Sequence, residues 1–144
     1  MSGSSPDRVA RELQTSLGLL VRRLRQVRVV DDLSQPESTA LASLVRNAPA
    51  TSADLARIEN ISAQSMHATI TTLERRGLVE RSVDAADGRR MLVDLTDAGR
   101  ALASRKRDAR AEQFAAVLAE HFTADERAAL HASAPLLERL AKAL

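Results

Sequence analysis

The sequence predicts a mostly α fold with a small β-hairpin (α+β), ordered helix, helix, two short helices, hairpin, helix, helix. Three observations carry that expectation. Apolar residues recur three and four apart near both ends of the chain. Ser or Thr followed three residues later by an acidic residue marks several helix starts. Between Leu78 and Leu95 the pattern changes to alternation around a charged turn. The 144 residues fit one domain spanning 1–144, and chains near that size bury roughly 70% of their extended surface.

Taken in order, Ser5, Pro6 and Asp7 read as an N-cap, a first-turn proline and a dipole-complementing acid. Val9, Leu13, Leu17, Leu20, Leu24 and Val27 then form one narrow stripe, over about 24 residues or roughly 36 Å of helix. Ser34 and Glu37 make a capping box around Pro36, and Leu41, Leu44 and Val45 give the second helix its buried face. Thr51 and Asp54 start a short third helix with Leu55 and Ile58 inward. It runs out at Glu59 and Asn60, where Asn tolerates the left-handed turn. Ser62 caps a fourth helix with Met66, Ile70 and Leu73 inward and Gly77 at its exit.

Two short helices joined by a tight turn are the helix-turn-helix pattern. LVERSV and MLVDL then alternate as strands on either side of the tip DAADGRR. Thr96 and Asp97 restart a helix that carries Leu102, Phe114, Val117 and Leu118. Thr123 and Glu126 cap the last one, striped by Leu130, Leu137, Leu140 and Leu144. Pro135 lies inside it, and an interior proline, costing about 3 kcal/mol, is expected to kink or break it near Ser133. The expected architecture is a winged helix-turn-helix core over 35–96, with N- and C-terminal dimerisation helices over 5–33 and 97–144.

Composition narrows the function. Without cysteine there is no disulfide framework, thiol nucleophile, thiol redox sensor or thiolate metal site. No GxGxxG, HExxH, GxSxG or phosphate-cradling loop is present, and His121 and His131 are isolated, so neither catalysis nor a cofactor is expected. No pair of His residues has i, i+4 spacing, so no metal site is expected. MSGSSPDR lacks an apolar leader and no run approaches the roughly 18 apolar residues of a membrane span, so a cytoplasmic protein without a membrane partner is the expectation. Net charge is only +2, but Arg far outnumbers Lys, and guanidinium suits phosphate and guanine. Tyr and Trp are absent, which disfavours single-stranded nucleic acid, whose binders stack bases on aromatic rings. Duplex DNA is the nucleic acid this composition favours.

The arrangement resembles the MarR family of transcriptional regulators over nearly the whole chain. DGRRMLVDLTDAG looks like that family's wing signature of Asp, any residue, Arg, a short strand, Leu-Thr and a Gly three residues on. SAQSMHATITTLERRGLVER is similar to its recognition helix and first wing strand, and LSQPESTAL to its second-helix start. The chain departs from the pattern at Ala68, where many members carry an Arg.

A helix read in the major groove needs short polar side chains near its N-terminus, able to donate and accept. Ser62, Gln64, Ser65, His67 and Thr71 lie off the apolar stripe and meet that need; Gln64 can pair bidentately with adenine. At the hairpin tip Arg89 suits a narrow minor groove, Asp87 is placed to aim its guanidinium, and Arg90 suits backbone phosphate. Arg75, Arg76 and Arg81 add positive charge, set against Glu74, Glu80, Asp84 and Asp87.

A two-fold dimer reads half-sites about 34 Å apart, so the expected partners are a second copy of the chain and an inverted repeat in double-stranded DNA. The resemblance further implies repression relieved by a small, often anionic aromatic effector between the dimerisation helices and the DNA-binding lobe. Arg22, Arg25 and Arg28 are the candidates to pair with its carboxylate. The rival reading is a winged helix that binds proteins instead of specific DNA.

Overall fold

The computed structural model describes residues 5–26 and 32–144. The chain divides into two compact units, Met1–Asp32 and Leu33–Leu144. In the first, α1 (Pro6–Gln26) starts as its sequence demands, with the Ser5 carbonyl accepting from the N–H groups of Arg8 and Val9 at 3.0 and 3.1 Å. Val27 and Arg28 lie outside the described residues.

The second unit holds α2 (Gln35–Asn47), β1 (Ala50–Thr51), α3 (Ser52–Ile58), α4 (Ala63–Arg75), β2 (Val79–Val83), β3 (Met91–Leu95), α5 (Asp97–His121) and α6 (Ala124–Ala143). Both capping boxes form. The Ser34 N–H donates to Glu37 Oε2 at 2.8 Å and the Thr123 N–H to Glu126 Oε2 at 2.8 Å. Helices α3 and α4 end alike. Asn60 (φ 53°) and Gly77 (φ 72°) take the left-handed conformation, and the next N–H reaches back to Ala56 O and Leu73 O, at 3.0 Å in each case.

The sheet is antiparallel in the order β1-β3-β2, with Val79 opposite Leu95, Arg81 opposite Val93 and Val83 opposite Met91. One face of it closes a core of Leu41, Leu44, Leu55, Met66, Ile70, Leu73, Val79, Val93 and Leu95, all nearly inaccessible to solvent. The α4 stripe Met66, Ile70 and Leu73 thus faces inward as its spacing demands.

Three details depart from expectation, and a fourth, left open between a kink and a break, is narrowed. β1 pairs with β3 through Ala50↔Val93 and Thr51↔Leu92; two residues are too short to show alternation. Val45 is 47% exposed, because it faces the cleft between α2 and α5 instead of the core. Ile58 is 49% exposed, because α3 ends there and Leu55 and Ala56 already fill its inward face. Pro135 does not break α6, which runs unbroken from Ala124 to Ala143. The missing N–H would bond the His131 carbonyl, and that turn is exposed to water.

Thr96 and Gly99 join the hairpin to α5. The Thr96 hydroxyl donates to Gly77 O at 2.6 Å, its N–H donates to Leu78 O at 3.1 Å, and its oxygen accepts from the Gly99 N–H at 3.1 Å. A Cβ on Gly99 would lie 2.0 Å from Leu78 O, so only glycine lets α5 start this close to β2. No helix among the described residues is long and apolar enough to cross a membrane.

Candidate nucleic-acid interface

Burying Met66, Ile70 and Leu73 leaves the opposite face of α4 outward. Ser62, Gln64, Ser65 and His67 are all exposed on its first two turns. The Ser62 oxygen accepts from the Ser65 N–H at 3.1 Å, and its hydroxyl donates to Ser65 Oγ at 2.8 Å. Ser65 itself remains exposed. Gln64 and the His67 ring make no hydrogen bond among the described residues, and Ala68 beside them is exposed.

Thr71 differs from these four. Its hydroxyl is half-buried, donates to the His67 carbonyl at 2.9 Å and accepts from Arg81 Nη2 at 3.1 Å. Arg81 also forms an ion pair with Glu74. Sequence spacing did not single out this pairing, because Arg81 belongs to a strand that meets α4 only once the chain is folded.

The three wing arginines have three surroundings. Arg90 pairs with Asp54 on α3 at 3.3 Å and approaches Asp84 at 3.9 Å, so it is engaged by two carboxylates. Arg81 is turned onto α4. Arg89 is exposed at the tip and its guanidinium has no partner among the described residues. Asp87 acts on Arg89 through the backbone rather than through the guanidinium: its Oδ1 accepts from the Arg89 N–H at 3.1 Å, and its carbonyl from the Arg90 N–H at 3.0 Å. Asp87 therefore shapes the turn that presents Arg89. Arg76 pairs inward as well, with Glu37 at 3.1 Å. Asp54 is held below the usual carboxylate range by hydrogen bonding with Thr51 and then by Arg57, which favours the charge that Arg90 meets.

A cleft of about 230 Å³ opens between α2 and α5. Leu41, Ala42, Val45 and Ala103 give it apolar walls, and Arg46, Lys106, Arg107 and Arg110 ring it with four cations and no carboxylate. Lys106 Nζ donates to Ser38 Oγ at 2.7 Å, and Arg46 pairs with Glu59 at 3.3 Å. Arg107 and Arg110 have no ion pair among the described residues. Of the arginines singled out for an effector, Arg22 and Arg25 are exposed on α1 and Arg28 is outside the described residues. The cleft cations escaped the sequence reading because the arginines of SRKRDAR look like one face of a solvated helix until α2 is laid beside them. Among the described residues, no three His, Cys, Asp or Glu side chains gather as a metal site would require.

Comparison with known proteins is consistent with this geometry. A MarR family model matches residues 31–90. Over 133 residues the chain is 32% identical to the Mycobacterium bovis protein named HTH-type transcriptional regulator Mb0904, covering 92% of each chain. Over 73 residues it is 37% identical to the HTH-type transcriptional repressor Rv2887 of Mycobacterium tuberculosis, covering 51% of this chain and 52% of that one. A crystal structure of a Pseudomonas aeruginosa protein named as a transcriptional regulator superposes with a TM-score of 0.85 at 28% identity, covering 97% of both chains.

Proposed function

The chain belongs to the MarR family and is a DNA-binding transcriptional regulator, and we propose that it acts as a homodimeric repressor of an inverted-repeat operator, released by a small anionic effector. Ser62, Gln64, Ser65 and His67 read base edges in the major groove, where the open N-terminus of α4 also meets phosphate. Arg89 enters the adjoining minor groove, where narrow A·T-rich steps concentrate negative potential. Asp87, Arg90 and Thr71 hold these elements in shape. The observation that carries this reading is the contrast in partners: the polar face of α4 and the Arg89 guanidinium stand outward while neighbouring arginines pair within the protein.

What the described residues of α5 and α6 leave uncovered supports a second copy. Leu130, Leu136 and Leu140 of α6 are 47, 55 and 40% exposed, and Phe114 and Val117 of α5 are 40 and 50% exposed. Two-fold packing of the terminal helices buries such faces and sets the half-site spacing. The α2–α5 cleft suits the effector: apolar walls accept an aromatic body, and Arg107, Arg110 and Lys106 meet its carboxylate.

Selection of duplexes from a randomised library tests the DNA reading. The expected product is an inverted repeat with half-site centres about 10 bp apart, bound with an affinity that falls log-linearly with salt. Enrichment of no duplex at low salt contradicts it and favours a protein-binding winged helix.

A further inference from the structure

Arg81 looks at first like one more cation for the DNA backbone, since it sits on a wing strand beside the recognition helix. Its geometry says otherwise. The side chain is only 17% exposed. One guanidinium nitrogen pairs with Glu74, and the other donates to Thr71 Oγ1 at 3.1 Å. Thr71 and Glu74 are three residues apart and so lie on one flank of α4.

We propose that Arg81 is a positioning residue for operator recognition, a two-point clamp fixing the rotation of α4 relative to the wing so that major-groove and minor-groove readers engage in register. A planar guanidinium bonded at two points along one helix flank resists both rotation and sliding of that helix; a single ammonium does not. The Thr71 hydroxyl has one proton, and it goes to His67 O at 2.9 Å. Its lone pairs therefore face Arg81, and the clamp extends one turn toward the exposed His67. On the strand side, Arg81 lies opposite the buried Val93, and the same strand leads through Val83 toward the Arg89 turn. The clamp thus ties the face that reads bases to the finger that probes the other groove. It rests on the DNA reading above, but it assigns Arg81 a role that phosphate binding would not give it.

Operator duplex selected by the wild-type chain, a random duplex of equal length, and the Arg81→Ala and Arg81→Lys variants test it. Both variants are expected to lose on the order of tenfold in operator affinity, as for groups uncoupled from one hydrogen-bonded network. Random-duplex affinity and the salt slope of operator binding stay at the wild-type values, because no phosphate contact is lost. The double variant Glu74→Arg/Arg81→Glu, which keeps the net charge, recovers part of the discrimination. Equal loss on both duplexes with a salt slope shallower by about one identifies Arg81 as a phosphate ligand and overturns the proposal; so does undiminished operator affinity. Arg81→Lys keeps length and charge should the alanine variant fail to fold. In the free protein both variants are expected to raise amide exchange along residues 67–75, which tests the clamp even if the wild type selects no duplex. Unchanged exchange there overturns it.

Discussion

The winged lobe and the two C-terminal helices belong to one unit but solve the burial problem differently. Helices α2 to α4 and the sheet hide Leu41, Leu55, Ile70, Leu73 and Val93 almost completely. Among 45 helical residues, α5 (25 residues) and α6 (20 residues) bury only Gly99, and that glycine belongs to the junction with the wing. The lobe is a self-contained core, whereas α6 carries an equally regular leucine stripe that the described residues of its own unit do not bury. A periodic stripe therefore says that a face will be buried, not by what.

The sharpest way to break this contrast is at the junction. Gly99→Ala places a methyl 2.0 Å from the Leu78 carbonyl, and backbone must shift. A loss of about 3 kcal/mol or more is expected in denaturant unfolding. Gly88→Ala at the wing tip meets nothing within 4 Å and is expected to be neutral. Equal effects would mean that α5 does not start pressed against β2.

Leucine truncation compares the two regions next. Leu41→Ala in the core is expected to cost about 2–5 kcal/mol at every protein concentration. Leu140→Ala in α6 is expected to leave the winged core intact and to show its cost as a concentration-dependent dissociation, read by sedimentation over a dilution series. If both costs are independent of concentration, the α6 stripe is not an interface.

A smaller effect separates the wing arginines. Arg89→Ala is expected to weaken operator binding by about 1–3 kcal/mol while leaving the melting temperature unchanged. Wild-type affinity in that variant removes the minor-groove role.

The smallest effect concerns the anchor of Arg90. Asp54 has a depressed carboxyl pKa, so its charged form contributes stability that is present above the ordinary carboxylate value and lost as pH falls through the lower folded value. Asp54→Asn is expected to cost less than about 1 kcal/mol near neutrality. The difference from wild type should begin to shrink on acidification below about pH 4 and vanish once pH falls below the depressed folded value. A difference that persists at lower pH means that the aspartate acts by shape and not by charge.

Much of this was legible in the residues. Capping boxes, Asn60 and Gly77 mark helix ends because local hydrogen bonding and left-handed backbone depend on near neighbours. The Met66, Ile70 and Leu73 spacing located the outward face of α4 for the same reason. Contacts set by the fold were not legible. The Arg81 clamp, the Asp54–Arg90 pair and the cationic cleft each join residues at least seven apart that no periodicity relates. Sequence alone set Arg90 aside for backbone phosphate and left Arg81 as added positive charge, whereas packing turns both toward carboxylates and leaves Arg89 outward. Val45 followed the helical stripe but faces the cleft, since one stripe on α2 serves two neighbours.

The mass of the protein bound to its selected operator tests the central claim most directly, measured by sedimentation equilibrium against the 15.6 kDa chain. The account predicts two chains on one inverted repeat, with Leu140→Ala weakening that assembly. A single chain occupying a single half-site with full affinity would contradict it.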